Sequence, residues 1–196
     1  MKLFQEYGEI RKMVQDNPKY REVISDCSDK VHFARQFIST DSAILDKYAN
    51  GIVNELEDVA SDIRTVCLDV KMFDNFRDMM KQLLIITFQD EKFSVEDTMV
   101  GKEDFIDENS EAEICYQITC LLEDFSMNGI YMLLMIKNYD EVKEKWTPSN
   151  FGWIRGVMCD NQNLSILLFS EKSAEEISKE PVGSSPFYNI IEVTRV

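Results

Sequence analysis

One histidine, His32, and five cysteines are all that this 196-residue chain offers for imidazole or thiolate chemistry. A lone histidine excludes most histidine-based metal centres and weakens any Ser-His-Asp arrangement. His32 reads instead as a half-buried residue in or beside a strand. Cys27, Cys67, Cys115, Cys120 and Cys159 are odd in number and contain no CxxC pair, so they read as reduced, small buried hydrophobes of a cytoplasmic protein. No Gly-x-Ser-x-Gly elbow and no HExxH helix is present. Carboxylates are what the chain has in quantity: 36 acids against 21 bases, a net charge of −15.

The acids are unevenly spread. Residues 89–113 hold ten of them against two lysines, more than half of the net charge. Glu103, Asp104, Asp107 and Glu108 form a candidate partner surface there, suited to a basic protein or to imitating nucleic-acid charge; a solvated loop accounts for them equally. Glu111 and Glu113 suit the start of a helix, where the dipole favours negative charge. The stretch lacks the spaced acids of a calcium loop, and no metal site is expected. The same charge argues against direct nucleic-acid binding, which needs clustered Lys and Arg, and against an anionic membrane surface. Trp146 and Trp153 flank the turn TPSNFG and are candidate partner anchors, with cover for a sheet as the plainer role. The final Thr194-Arg195-Val196 fits a strand-accepting groove, and fits a last core strand as well.

The elements that would position these residues are legible in the spacing. A chain of this size buries roughly 70% of the surface it would expose unfolded, and needs no disulfide or metal staple. Residues 1–29 read as a helical lead-in interrupted at Asn17-Pro18, with a second short helix to Ile24. Val31–Phe33 is a weak strand. Ile44, Leu45, Tyr48, Ile52, Val53 and Leu56 share one face of a helix that Asp41 or Ser42 can cap. IRTVCLDV (63–70) reads as a strand, Phe73 to Leu84 as a helix, Ile114 to Phe125 as another, stopped by Asn128-Gly129. IYMLLMI (130–136), LSILLF (164–169) and NIIEV (189–193) are apolar without alternation, the mark of strands covered on both faces. The longest of these runs is too short to cross a bilayer. The order of elements predicts one α/β domain: a three-layer, mainly parallel sheet flanked by helices, with core 30–196 and an acidic insert at 89–113.

This succession resembles the core of a P-loop ATPase of the AAA-like or signal-transduction (STAND) type. The stretches that carry the resemblance are STDSAILDKYANGIVNEL (39–56), TVCLDVKMFDNF (65–76), GIYMLLMIKNYDEV (129–142), NLSILLFSEKSAEEIS (163–178) and SPFYNIIEVTRV (185–196). It is most specific after Gly129. The resemblance implies a phosphate loop, GxxxxGK[ST], before the first long helix, with glycines that let backbone N–H groups approach the phosphates. With Ile44-Leu45 set on the leucines after that motif, Arg35 and Thr40 fall on its two glycines, Asp41 on its lysine and Ser42 on its Ser/Thr. No glycine lies between Gly8 and Gly51. The family's Asp-Glu after the third strand falls on Lys137-Asn138, and Asp140 and Glu141 match only later acids. Ser170 falls where a polar sensor residue often ends the next strand.

An aspartate in the lysine's place opposes a triphosphate by several kcal/mol per unit charge at intermediate dielectric, beyond what a helix dipole of about 0.3–1 kcal/mol returns. The expectation is therefore a non-hydrolysing pseudo-ATPase that binds no cofactor and acts as an interaction or regulatory protein in a larger complex. Two alternatives stay open. One is an acidic inhibitor, such as an immunity or anti-defence protein, blocking a basic partner surface. The other is an ATPase with an unconventional site, in which ATP and Mg²⁺ would be held with Ser42, Asp69 or Asp140.

Overall fold

The computed structural model describes residues 16–59, 62–89, 110–177 and 187–196. Five strands form one sheet: β1 (Ala34–Ile38), β2 (Ile63–Asp69), β3 (Tyr131–Lys137), β4 (Leu164–Ser170) and β5 (Glu192–Arg195), in the order β2-β3-β4-β1-β5. Every pairing is parallel. The helices are α1 (Pro18–Ser28), α2 (Ser42–Val59), α3 (Phe76–Gln89), α4 (Glu111–Met127), the one-turn α5 (Val142–Lys145), α6 (Pro148–Asp160) and the one-turn α7 (Ala174–Ile177).

Alternation along the strands sends successive side chains to opposite faces, and both faces are covered. On one side Phe37, Leu133, Met135, Leu167 and Phe169 pack with Tyr20, Val23 and Cys27 of α1 and Leu45, Tyr48, Ile52 and Leu56 of α2. On the other, Val66, Leu68, Leu134, Ile136, Ile166 and Leu168 pack with the apolar stripes of α3, α4 and α6. That double cover is why β3 and β4 read as unbroken apolar runs, and it makes the three-layer α/β architecture expected from the sequence.

Local chemistry fixes the helix ends. Asn17 caps α1 by accepting from the amides of Lys19 and Tyr20, with Pro18 at the first helical position. Ser110 and Glu113 form a reciprocal capping box on α4, and Thr147 and Asn150 do the same for α6. Gly129, at φ +67°, turns the chain out of α4 and into β3. Gly51 lets α1 lie close on α2: a Cβ there would stand 2.9 Å from the buried Tyr20 hydroxyl oxygen.

Four boundaries differ from the sequence reading. The first strand is Ala34–Ile38, not Val31–Phe33, because Arg35 and Gln36 break the apolar pattern yet find partners in the fold. Helix α1 continues to Ser28, and α6 is thirteen residues long. The last strand is Glu192–Arg195 and is not covered on both faces: Val193 is 46% exposed. Val196 donates its amide to Ile38 O, so residues 193–196 lie within the sheet and are not free for strand addition elsewhere. No helix among the described residues is long and apolar enough to cross a membrane.

Candidate functional site

In an open parallel sheet the ligand crevice lies at the carboxyl ends of the strands. Here that rim is formed by the chain as it leaves β1, β2, β3 and β4. After β1 only Ser39, Thr40 and Asp41 intervene before Ser42 opens α2. Ser39 and Asp41 are committed locally, and Thr40 is exposed. Ser39 donates its amide to Ser170 O, Asp41 its amide to Ser39 Oγ (3.3 Å), and the Asp41 carboxylate caps α2 by accepting from Ala43 N at 2.9 Å. Thr40, Asp41 and Ser42 thus lie where the sequence reading put them, between strand and helix.

Arg35 does not. It sits inside β1, paired in register with Leu167 on one side and Glu192 on the other. Its guanidinium points to the α1 face, where it pairs with Glu22 (2.8 Å), Asp26 (2.7 Å) and Glu192 (3.0 Å). It also lies 4.8 Å over the Phe33 ring. Residues 35–38, which a phosphate loop would need as free backbone, are paired into the sheet between β4 and β5.

At the end of β3, Lys137 reaches across to the Asp46 carboxylate on α2. Burial works against its charge, but the hydrogen bond and charge of Asp46 prevail and hold the ammonium above the ordinary lysine value. Asn138 follows in the left-handed region, φ 53° and ψ 42°, and donates Nδ2–H to Asp69 Oδ1 at 2.7 Å. Asp69 accepts from Lys71 N as well (3.0 Å). Asp140 uses both carboxylate oxygens to accept from the amides of Glu171 (2.8 Å) and Lys172 (3.0 Å), fixing the turn after β4. Glu141 is the N-cap residue of α5 and makes no side-chain cap bond. The fold brings Lys137, Asn138, Asp46 and Asp69 together and sets Asp140 against the β4 turn.

The sequence reading missed Gln36. It is fully buried on β1. Its Nε2–H group donates to Ser170 Oγ and to Lys172 O (2.9 Å), and its Oε1 accepts from Ala174 N at 2.9 Å. Ser170 in turn donates to Lys172 O at 2.7 Å. The polar residue at the end of β4 therefore faces an amide of the protein itself. The available signal was a glutamine inside an apolar strand segment, since a buried amide needs several partners.

Among the described residues no group of three or more His, Cys, Asp or Glu side chains is arranged to hold a metal ion. Of the two roles weighed for Trp146, the structure shows the plainer one: 6% exposed, it packs in the core against Phe76, Tyr139 and Phe151, with an edge-on contact of 5.1 Å to Phe76. Trp153 is half-buried and edge-on to the same Phe76. Glu103, Asp104, Asp107 and Glu108 lie outside the described residues. His32, half-buried just before β1, donates Nδ1–H to Leu164 O at 2.6 Å. All five cysteines are free; burial pushes the Cys27 thiol up to about 12, but Cys67, Cys115 and Cys120 are half-buried and Cys159 is exposed, so Cys27 alone is the buried hydrophobe expected of all five.

No protein family and no curated protein matches the sequence. Solved structures do resemble the fold. ORC in a Drosophila complex with DNA superposes with a TM-score of 0.65 at 11% identity, over 96% of this chain and 44% of that one. ORC2 of Aeropyrum pernix, solved with ADPNP and ADP, gives 0.61 at 10% identity, over 98% and 46%. Cdc6p of Pyrobaculum aerophilum gives 0.61 at 10% identity, over 90% and 43%. The fold is P-loop NTPase-like. It is similar to that of the ORC/Cdc6 AAA+ ATPases, and the chain spans somewhat under half the length of these structures.

Proposed function

We propose that this chain is a non-hydrolysing pseudo-ATPase: an ATPase-like domain that works as an interaction or regulatory protein within a larger complex. The observation that carries the reading is the three-residue connection between β1 and α2. A phosphate cradle is made of consecutive unpaired amides with glycine freedom, and here the corresponding residues 35–38 belong to a strand. The other half of the machinery points the same way. A lysine and an asparagine stand where a magnesium-side carboxylate and a water-polarising glutamate would be needed. The wording of NLSILLFSEKS and SPFYNIIEV favours a STAND-type origin for the domain.

Calorimetric titration with MgATP, alongside a phosphate-release assay on the purified chain, tests this reading. We expect no saturable heat and no release above buffer. Micromolar binding with turnover overturns it and favours the unconventional-site ATPase. For that alternative Asp140 is poorly placed, since both of its carboxylate oxygens accept from backbone amides, whereas Asp69 is engaged through Oδ1.

The net charge of −15 supports a second reading, an acidic inhibitor that covers a basic protein surface. Neutralising Glu103, Asp104, Asp107 and Glu108 would then weaken capture of the partner, as would added salt. Capture indifferent to both removes that reading. Several structural neighbours were solved on DNA; the acid excess of this chain opposes such contact.

A further inference from the structure

Strand β5 is attached to the molecule differently from the other four. None of its side chains is buried, its ladder to β1 is four residue pairs long, and its aliphatic anchorage is Ile190, Ile191 and Val196, each only partly buried. Its fixed polar contacts converge on Glu192. That carboxylate takes Arg35 Nε on one oxygen (3.0 Å) and Lys19 Nζ on the other (2.9 Å), so it ties β5 to both β1 and α1.

We propose that residues 192–196 form a charge-latched edge that detaches from β1 as a unit, with Glu192 as the catch. The latch opens without leaving a cation stranded. Arg35 keeps Glu22 and Asp26, and Lys19 keeps the second oxygen of Glu22 at 3.0 Å. Breaking most partly buried ion pairs abandons one charge, and that abandonment is the main cost. Here the cations are shared, so the only group set free is Glu192, which is half-exposed and readily hydrated. What remains to hold the strand is a short parallel ladder and the half-covered Val196, while the turn Phe187–Ile190 before it stays against α6 and α7. Segments with few buried contacts open locally at free energies well below that of global unfolding. Detachment uncovers the outer edge of β1, with Arg35 and Lys19 beside it. The proposal is independent of whether nucleotide is bound.

Hydrogen–deuterium exchange on the full chain, wild type and Glu192→Ala, at low salt and at about 1 M NaCl, where the Debye length falls to about 3 Å, tests it. We expect the amides of 193–196 to exchange roughly tenfold faster in Glu192→Ala, and in wild type at high salt, while those of 131–137 and 164–170 keep their protection. Equal acceleration of all strands would mean global destabilisation and overturn the latch. So would unchanged exchange of 193–196 in both tests. Acceleration in Glu192→Ala without a salt response would also overturn it, because the tie would then be a hydrogen bond and not a charge.

Discussion

On the pseudo-ATPase reading proposed above, the two connections that leave β1 and β3 depart from a phosphate-handling geometry by different routes. After β1 the backbone itself has changed: the strand runs on to Ile38 and three residues reach the helix. After β3 the backbone still turns sharply at the rim, through Asn138 in the left-handed region, and only the side chains differ. A change of side chain is undone by substitution. A loop absorbed into a strand is not, because its amides are already spent on the sheet. On that reading the β1 connection decides the chemistry, and the β3 connection records it.

Gln36 supplies the severest test of that contrast. Gln36→Leu keeps the volume, removes three hydrogen bonds and strands the buried Ala174 N, while the Ser170 hydroxyl and Lys172 O keep only each other. A loss of about 2–4 kcal/mol is expected, since each unsatisfied buried group costs about 1–3 kcal/mol. Urea unfolding reads it. A loss below about 1 kcal/mol would mean that water enters the rim and that the β1 side is less sealed than its hydrogen bonds imply.

Lys137 tests the other side. Lys137→Asp removes the pair with Asp46 and sets two carboxylates face to face, at a cost of about 1–3 kcal/mol for a partly buried site. Paired with Asn138→Glu, it installs the Asp-Glu that the resemblance to P-loop ATPases implies, and no phosphate release is expected from the double variant. Turnover would break the comparison outright, since the side-chain change alone would then have been limiting. The raised pKa has a sign consequence. Stability from the Lys137–Asp46 pair is fully present below the ordinary lysine value of 10.5 and is lost as pH rises through the higher folded value. Lys137→Met should flatten that alkaline decline.

Asp140→Ala comes next in size. Two backbone amides lose a charged acceptor, but they lie near solvent and water replaces part of it, so about 1 kcal/mol is expected by thermal unfolding. Phosphate release should not change; if it falls from a measurable level, Asp140 belongs to a working site.

The sheet and its double cover were readable in the sequence because a short apolar run without alternation fits few places besides a strand buried on both faces. The β1 boundary was not. Arg35 and Gln36 are poor strand formers by local pattern, and what permits them is remote: Glu22, Asp26 and Glu192 for one, the turn at 170–174 for the other. A motif register drawn from Ile44-Leu45 alone could place Thr40, Asp41 and Ser42 but could not tell loop from strand upstream. The packing partner of Trp146 was illegible for a similar reason. A tryptophan beside a Pro-containing turn looks exposed until Phe76, some seventy residues earlier, is seen packed against it.

The smallest effect belongs to Asn138 and is the most discriminating. Its left-handed φ is tolerated by asparagine and costs a residue with an ordinary Cβ about 1 kcal/mol, whereas glycine adopts it freely. Asn138→Ala loses the bond to Asp69 and gains that strain, about 1–2 kcal/mol in all. Asn138→Gly loses the bond and relieves the backbone, so it should lie within about 0.5 kcal/mol of wild type. The difference between the two variants, measured by urea unfolding, isolates the backbone turn from its side chain. If they are equally destabilised, the turn after β3 is held by the Asn138–Asp69 bond and not by conformation. The surviving backbone would then depend on the new side chains, and the two connections would differ less than their geometry suggests.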